Sequence, residues 1–158
     1  MESKLSHYDS VGKVSMVDVG SKQDTQRTAT ARAYVALNKA VLEALPTNKK
    51  GDPLEVARVA GIMAAKKTSD LIPLCHPLPL TNVAIELKLD DNGVEIIATA
   101  STVARTGVEM EAMTAACVAA LTVYDMTKAL DKSIEIREIY LLEKTGGKSG
   151  TFRREDAR

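Results

Sequence analysis

In the stretch "DLIPLCHPLPL", Cys75 and His76 stand side by side, fenced by Pro73, Pro77 and Pro79. They are one of the chain's two cysteines and one of its two histidines. A thiol and an imidazole can hold a metal, move protons or attack an electrophile. Adjacent residues in extended geometry point to opposite faces, so this pair does not chelate one ion. The remaining donors of that kind, Cys117 and His7, are too few and too scattered for a closed zinc site, and no metal is expected. Two readings stay open. One is a loop histidine beside a buried thiol. The other is an imidazole presented on a stiff strap as a hydrogen-bonding or acid–base group.

Further chemistry sits in "TGVEMEAMTAACVAALTVYDMTKALDK". Asp125 and Lys128 are three positions apart and share a helix face. As structure they are a surface ion pair of little energetic weight. As chemistry they are a carboxylate and an amine that tune each other for proton transfer. Glu109 and Glu111 fall at the start of the same helix. There they either complement its dipole or accept hydrogen bonds from a ligand's N–H groups.

The segment "KTGGKSG" offers free backbone and two cations, Lys144 and Lys148, to an anion. It is not a P-loop, because Leu142 stands where that pattern needs glycine. The structural alternative is a flexible tail. Lys49, Lys50, Lys66, Lys67, Lys128, Lys144 and Lys148 all fall near element ends or in loops. Brought together they would suit a polyphosphate.

Composition narrows the classes. The 158 residues fit one domain, 1–158, with 1–12 and 153–158 expected to be flexible. Hydrophobic residues make up 45% and charged residues 27%, as in an ordinary globular chain. Lys plus Arg equals Asp plus Glu at 21 each, so no global field recruits nucleic acid or membrane. With no Trp and one Phe, a base-stacking platform is disfavoured. Two cysteines make no disulfide framework, and "MESKLSHYDS" lacks the apolar core of a secretory signal. No apolar run reaches the roughly 18 residues of a membrane span. The expectation is a cytoplasmic protein with free thiols.

The elements that must position these groups follow from periodicity. Lys13 to Val19 reads as a short strand. Ala29, Ala31, Ala33 and Val35 give a period of two within a strand from Thr25 to Ala36. Leu37 to Leu45 reads as a short helix ended by Pro46. Asp52 as N-cap, Pro53 in the first turn and Glu55 behind them open a helix with an apolar stripe of Leu54, Val56, Val59, Ile62 and Met63. Lys66 and Lys67 close it. The residues before each proline, Ile72, His76 and Leu78, are pushed to extended geometry, which makes the segment a strap. Val83 to Leu89 and Val94 to Val103 alternate as strands around an Asn92-Gly93 turn. A helix runs from Val108 to Leu130, with alanines that allow close packing. Ser133 to Glu143 is the last strand, its parity broken between Ile136 and Ile139 by a bulge. This order implies an α+β sandwich, with helices on one face of a mostly antiparallel sheet.

Four stretches together, "MVDVG", "KGDPLEVARVAGIMAAKKTSDLIPLCHPLPL", "TGVEMEAMTAACVAALTVYDMTKALDK" and "LLEKTGGKSG", closely resemble the cyclic pyranopterin monophosphate synthase family of molybdenum cofactor biosynthesis. The resemblance runs from about Met16 to Phe152. It implies a ferredoxin-like fold and a hexamer built of dimers, with active sites between subunits. It implies conversion of 3′,8-cyclo-7,8-dihydroguanosine 5′-triphosphate to cyclic pyranopterin monophosphate, with release of pyrophosphate and no redox cofactor. By position, Asp125 matches the catalytic aspartate, and Lys50 and Lys128 match catalytic lysines. Leu74, Cys75, His76, Met110 and Glu111 match substrate contacts. Glu109 and Lys144 match further pocket residues, and Lys67 a triphosphate contact. Lysines grouped with other lysines are expected to hold their protons less tightly and so to exchange them near neutrality. The rival class is a non-catalytic module that binds an anionic nucleotide, with the lysines as clamp and Asp125 as structure.

Overall fold

The computed structural model of the chain describes residues 6–155. Strand β1, Thr25–Ala36, is the organising element. Its alternate residues Ala29, Ala31, Ala33 and Val35 are all buried, as the period of two requires. It pairs antiparallel with β3, Gly93–Ala104, on one side and with β4, Glu135–Thr145, on the other. β2, Leu80–Asp90, pairs with β3, and the two-residue β5, Phe152–Arg153, pairs with β4. The sheet order is β2-β3-β1-β4-β5, antiparallel throughout. The fold is α+β and ferredoxin-like.

Helix α1, Lys39–Ala44, is capped by Asn38 and runs into a short 3-10 turn over Leu45–Thr47 that includes Pro46. Helix α2 is Pro53–Lys66, with the Asp52 carboxylate accepting from the N–H groups of Leu54 and Glu55. Glu55 does not complete a capping box. Its carboxylate instead accepts from Arg58 Nε at 3.0 Å. A four-residue helix α3, Thr68–Leu71, precedes the strap, and the long helix α4 is Glu109–Thr127.

Helix α4 lies over the centre of the sheet, and α2 packs beside it over β2. This packing corrects the apolar stripe expected on α2. Val56, Val59 and Met63 are exposed, and the buried face is Pro53, Ala57, Gly61, Ala64 and Ala65. The reason is proximity. A Cβ on Gly61 would stand only 3.1 Å from the Ala115 carbonyl and 3.3 Å from Ala119 Cβ. Helices this close admit only small residues between them, so Val56, Val59 and Met63 turn outward, while Leu54 and Ile62 stay partly buried against the core.

The other sheet face is polar and uncovered. Thr28 pairs with Ser101 and Thr30 with Thr99 through their hydroxyls, each at 3.1 Å. Arg32, only 8% exposed, bonds Glu95 at 2.9 Å and also Glu138. Glu138 is the one non-glycine residue with positive φ among the described residues, at 55°. It lies within the expected break between Ile136 and Ile139, where the register against β1 shifts. A second shift, between the partners of Thr30 and Ala31, was not foreseen.

Two other sequence expectations are corrected. Lys13 to Val19 is not a sheet strand. Its one bridge joins Val14 to Tyr8, in a small hairpin from His7 to Ser15. Residues 1–5 and 156–158, expected to be flexible, lie outside the described residues. The β2–β3 turn is Asp91-Asn92 rather than Asn92-Gly93, because Asp90 pairs with Gly93. The Asp90 carboxylate accepts from the Asn92 N–H at 2.8 Å and sets the turn. Gly93 is required for another reason: a Cβ there would run into the Val35 carbonyl.

Candidate active site

Most of the expected site residues gather at the two ends of α4. At one end the strap and the start of α4 meet around a cavity of about 430 Å³. Leu74, Cys75 and His76 line it from the strap, and Glu109, Met110 and Glu111 from the first turn of α4. All six residues were expected in a binding site, and all six come together.

The strap is positioned by short bonds. The Ile72 N–H donates to the Thr68 carbonyl at 2.9 Å, and the Cys75 N–H to the Ile72 carbonyl at 3.1 Å. Beyond that turn the prolines stiffen the run into β2. Gly107 leads into α4, with the Glu109 carboxylate lying against it. Val108, as N-cap, offers no side-chain acceptor to the helix.

Burial acts on the proton affinity of Glu111 and Cys75. Glu111 is 4% exposed, and burial pushes its carboxyl above the usual range, with Glu109 adding to the shift. Burial also pushes the Cys75 thiol up, and Glu111 adds to that. Cys75 is therefore a poor thiolate, and its place in the cavity is one of packing and backbone.

At the opposite end of α4, Lys128 Nζ donates to Asp125 Oδ1 at 2.7 Å. Lys50 Nζ reaches the Asp125 carbonyl at 3.4 Å from the loop before α2. The hydrogen bond from Lys128 leads the effects that hold the Asp125 carboxyl low, and Lys50 contributes. In return Asp125 holds the Lys128 ammonium up. This corrects the expectation of loosely held lysine protons. Lys128 is a firm ammonium, because a carboxylate and not another lysine is its nearest partner.

Lys67 and Lys144 join neither group directly. Lys67 caps α2 and lies 3.4 Å from Asp70 Oδ2. Lys144, on β4, bonds the Ser149 hydroxyl within the glycine-rich loop. Gly146 and Gly147 take φ of 90° and 78° there, folding the loop back against Arg27. Among the described residues, no group of three or more His, Cys, Asp or Glu side chains is placed to hold a metal ion. No helix among them is long and apolar enough to cross a membrane.

The sequence model of the MoaC family matches residues 16–147. The chain belongs to the MoaC family. It is 55% identical over 158 residues to a cyclic pyranopterin monophosphate synthase of Thermomicrobium roseum, covering 98% of this chain and 95% of that one. It is 52% identical to the enzyme of that name from Staphylococcus carnosus, covering 97% and 98%. It is 53% identical to the one from Brucella ovis, covering 96% and 94%.

Within this MoaC-family chain the cavity has a wall that sequence reasoning missed. Ser6, His7, Val17 and Lys22 line it from the N-terminal segment. His7 had been weighed only as a stray metal donor. The available signal was that "MVDVG", part of the resemblance, ends two residues before Lys22.

Proposed function

We propose that this chain is a cyclic pyranopterin monophosphate synthase acting in molybdenum cofactor biosynthesis. On this reading it converts 3′,8-cyclo-7,8-dihydroguanosine 5′-triphosphate to cyclic pyranopterin monophosphate and pyrophosphate. The near full-length identity to relatives of that name carries the reading. The chemistry of the two ends supports it.

The cavity suits the reduced guanine-derived ring. Glu109 accepts hydrogen bonds from ring and amino N–H groups, while buried Glu111 either accepts or, when protonated, donates. His76 is held against the ring by the strap. The Asp125 end suits proton transfer and phosphate chemistry. Closing the cyclic phosphate requires a substrate hydroxyl to attack the α-phosphorus. The bond from phosphorus to the bridging oxygen then breaks, and pyrophosphate leaves with the electron pair. Asp125 as a carboxylate takes up a proton, and Lys128 as an ammonium donates one. Lys50, Lys67 and Lys144 add charge that stabilises phosphate oxygens.

The complete site is formed between two copies, the cavity from one and the Asp125 end from the other, within a hexamer of dimers. An apolar groove at Ala60, Met63, Ala64, Leu71 and Val118, flanked by exposed Val59 and Leu121, supports burial against a second copy. We read 1–158 as one such domain, acting in the cytoplasm on a small-molecule substrate without a redox cofactor.

The deciding experiment incubates the chain with the cyclised triphosphate and measures pyrophosphate and cyclic product. Stoichiometric release of both is expected. Binding without release would instead mark a nucleotide-binding module.

A further inference from the structure

The chain has only two histidines, 69 positions apart, and both line the same cavity. His76 arrives on the strap. His7 arrives on the hairpin that precedes β1.

That hairpin is built by its own short bonds. The Asp9 carboxylate accepts from the N–H groups of Val11 at 2.9 Å and Lys13 at 2.8 Å. The Asp9 N–H donates to the Lys13 carbonyl at 2.9 Å. The Ser15 N–H donates to the His7 carbonyl at 3.0 Å, and Tyr8 bridges Val14. Gly12 supplies the left-handed residue, with φ of 79°.

The hairpin contributes little to the core, since Tyr8, Val11 and Val14 are 53%, 74% and 63% exposed. A two-stranded hairpin that buries so little is only marginally stable alone. What it does place is His7 at the cavity. The segment that follows is tied to the loop between β3 and α4. Arg105 Nη1 donates to the Gly20 carbonyl at 3.1 Å, and Arg105 Nε lies 3.6 Å from Asp24 Oδ1. Val17, between the hairpin and these ties, and Lys22, between the two tied residues, also line the cavity. The N-terminal segment is thus one wall, and the first turn of α4 with its two carboxyls is another.

We propose that His7 is a substrate-contacting residue, delivered by the 7–15 hairpin to close the cavity over the ring system of the cyclised triphosphate. This rests on the function proposed above. The α4 wall offers carboxyl groups to the ring's N–H edge. An imidazole on the N-terminal wall adds what those groups lack, a flat ring to lie on the substrate and nitrogen atoms that both donate and accept.

The test compares the wild-type chain with His7→Ala, His7→Gln and Asp9→Ala. His7→Ala should raise KM about tenfold and lower kcat less than threefold, as expected for lost binding contacts. His7→Gln should recover part of the loss. Asp9→Ala, which removes the turn's carboxylate without touching the cavity, should raise KM by a smaller factor. Ring C–H signals in NMR give a second readout, and His7→Gln assigns them by deleting one. In the slow Asp125→Asn chain at saturating substrate, both histidine signals should shift. Wild-type KM in both His7 variants overturns the role of His7, and so does a His7 signal that stays fixed while that of His76 moves. A wild-type chain that releases no pyrophosphate overturns the proposed function and this inference with it.

Discussion

Glu111 and Asp125 stand on one unbroken helix, α4, fourteen positions apart. At about 1.5 Å per residue they are separated by roughly 21 Å along the axis. One faces the cavity and the other pairs with Lys128. A compact ring site does not draw on both from one chain, whereas a two-fold axis can bring one chain's Glu111 end to its partner's Asp125 end. Co-expressed Glu111→Ala and Asp125→Asn chains, each inactive alone, should therefore regain partial activity. In each mixed dimer one site would carry both lesions and the other neither. Mixed dimers that form and stay inactive would mean that each site takes both residues from one chain.

Asp125→Asn should keep fold and substrate affinity while kcat falls by roughly 10²–10⁴, the range of a lost acid–base group. The side chain is exposed and its ion pair is local, so melting temperature should change little. Steady-state kinetics beside a thermal melt checks both. Near-normal turnover would remove Asp125 from the chemistry.

Lys50→Ala and Lys128→Ala should each cut turnover about a hundredfold or more, because both ammonium groups converge on Asp125. Lys148→Arg should cost less than about fivefold, since a loop cation that supplies only charge tolerates the exchange. Equal losses in all three variants would point to a diffuse electrostatic site.

Glu111→Gln should stabilise the fold at neutral pH. The buried carboxyl has a raised folded value, so the folded state holds its proton more tightly than the unfolded state. Its favourable contribution is complete below the ordinary glutamate value of about 4.3 and is lost as pH rises through the raised one. Melting curves of the two chains should converge in acid and separate toward neutrality, with Glu111→Gln higher. An unchanged gap across that range would mean that Glu111 is ionised at no cost.

Much of the architecture was legible in residue order. The period of two in Ala29, Ala31, Ala33 and Val35, the Asp52-Pro53 start of α2 and the parity break in β4 each state a local backbone requirement. Local requirements are written in adjacent residues. The proline strap was legible for the same reason, and Cys75, His76, Glu109 and Glu111 stood out by residue type, whereas Leu74 and Met110 entered only through the family resemblance. The firm ammonium of Lys128 was within reach of the sequence, since its partner Asp125 is only three positions away on the same helix. Tertiary structure alone decided which face of α2 is buried. Leu54, Val56, Val59, Ile62 and Met63 look like a core stripe, but only Leu54 and Ile62 pack against the core, because Ala115 and Ala119 come close enough to leave room only for small side chains on the face between the helices. Tertiary structure also brought His7 to the cavity of His76. Those relations follow from the path of the chain through the sheet, which no window of neighbouring residues contains.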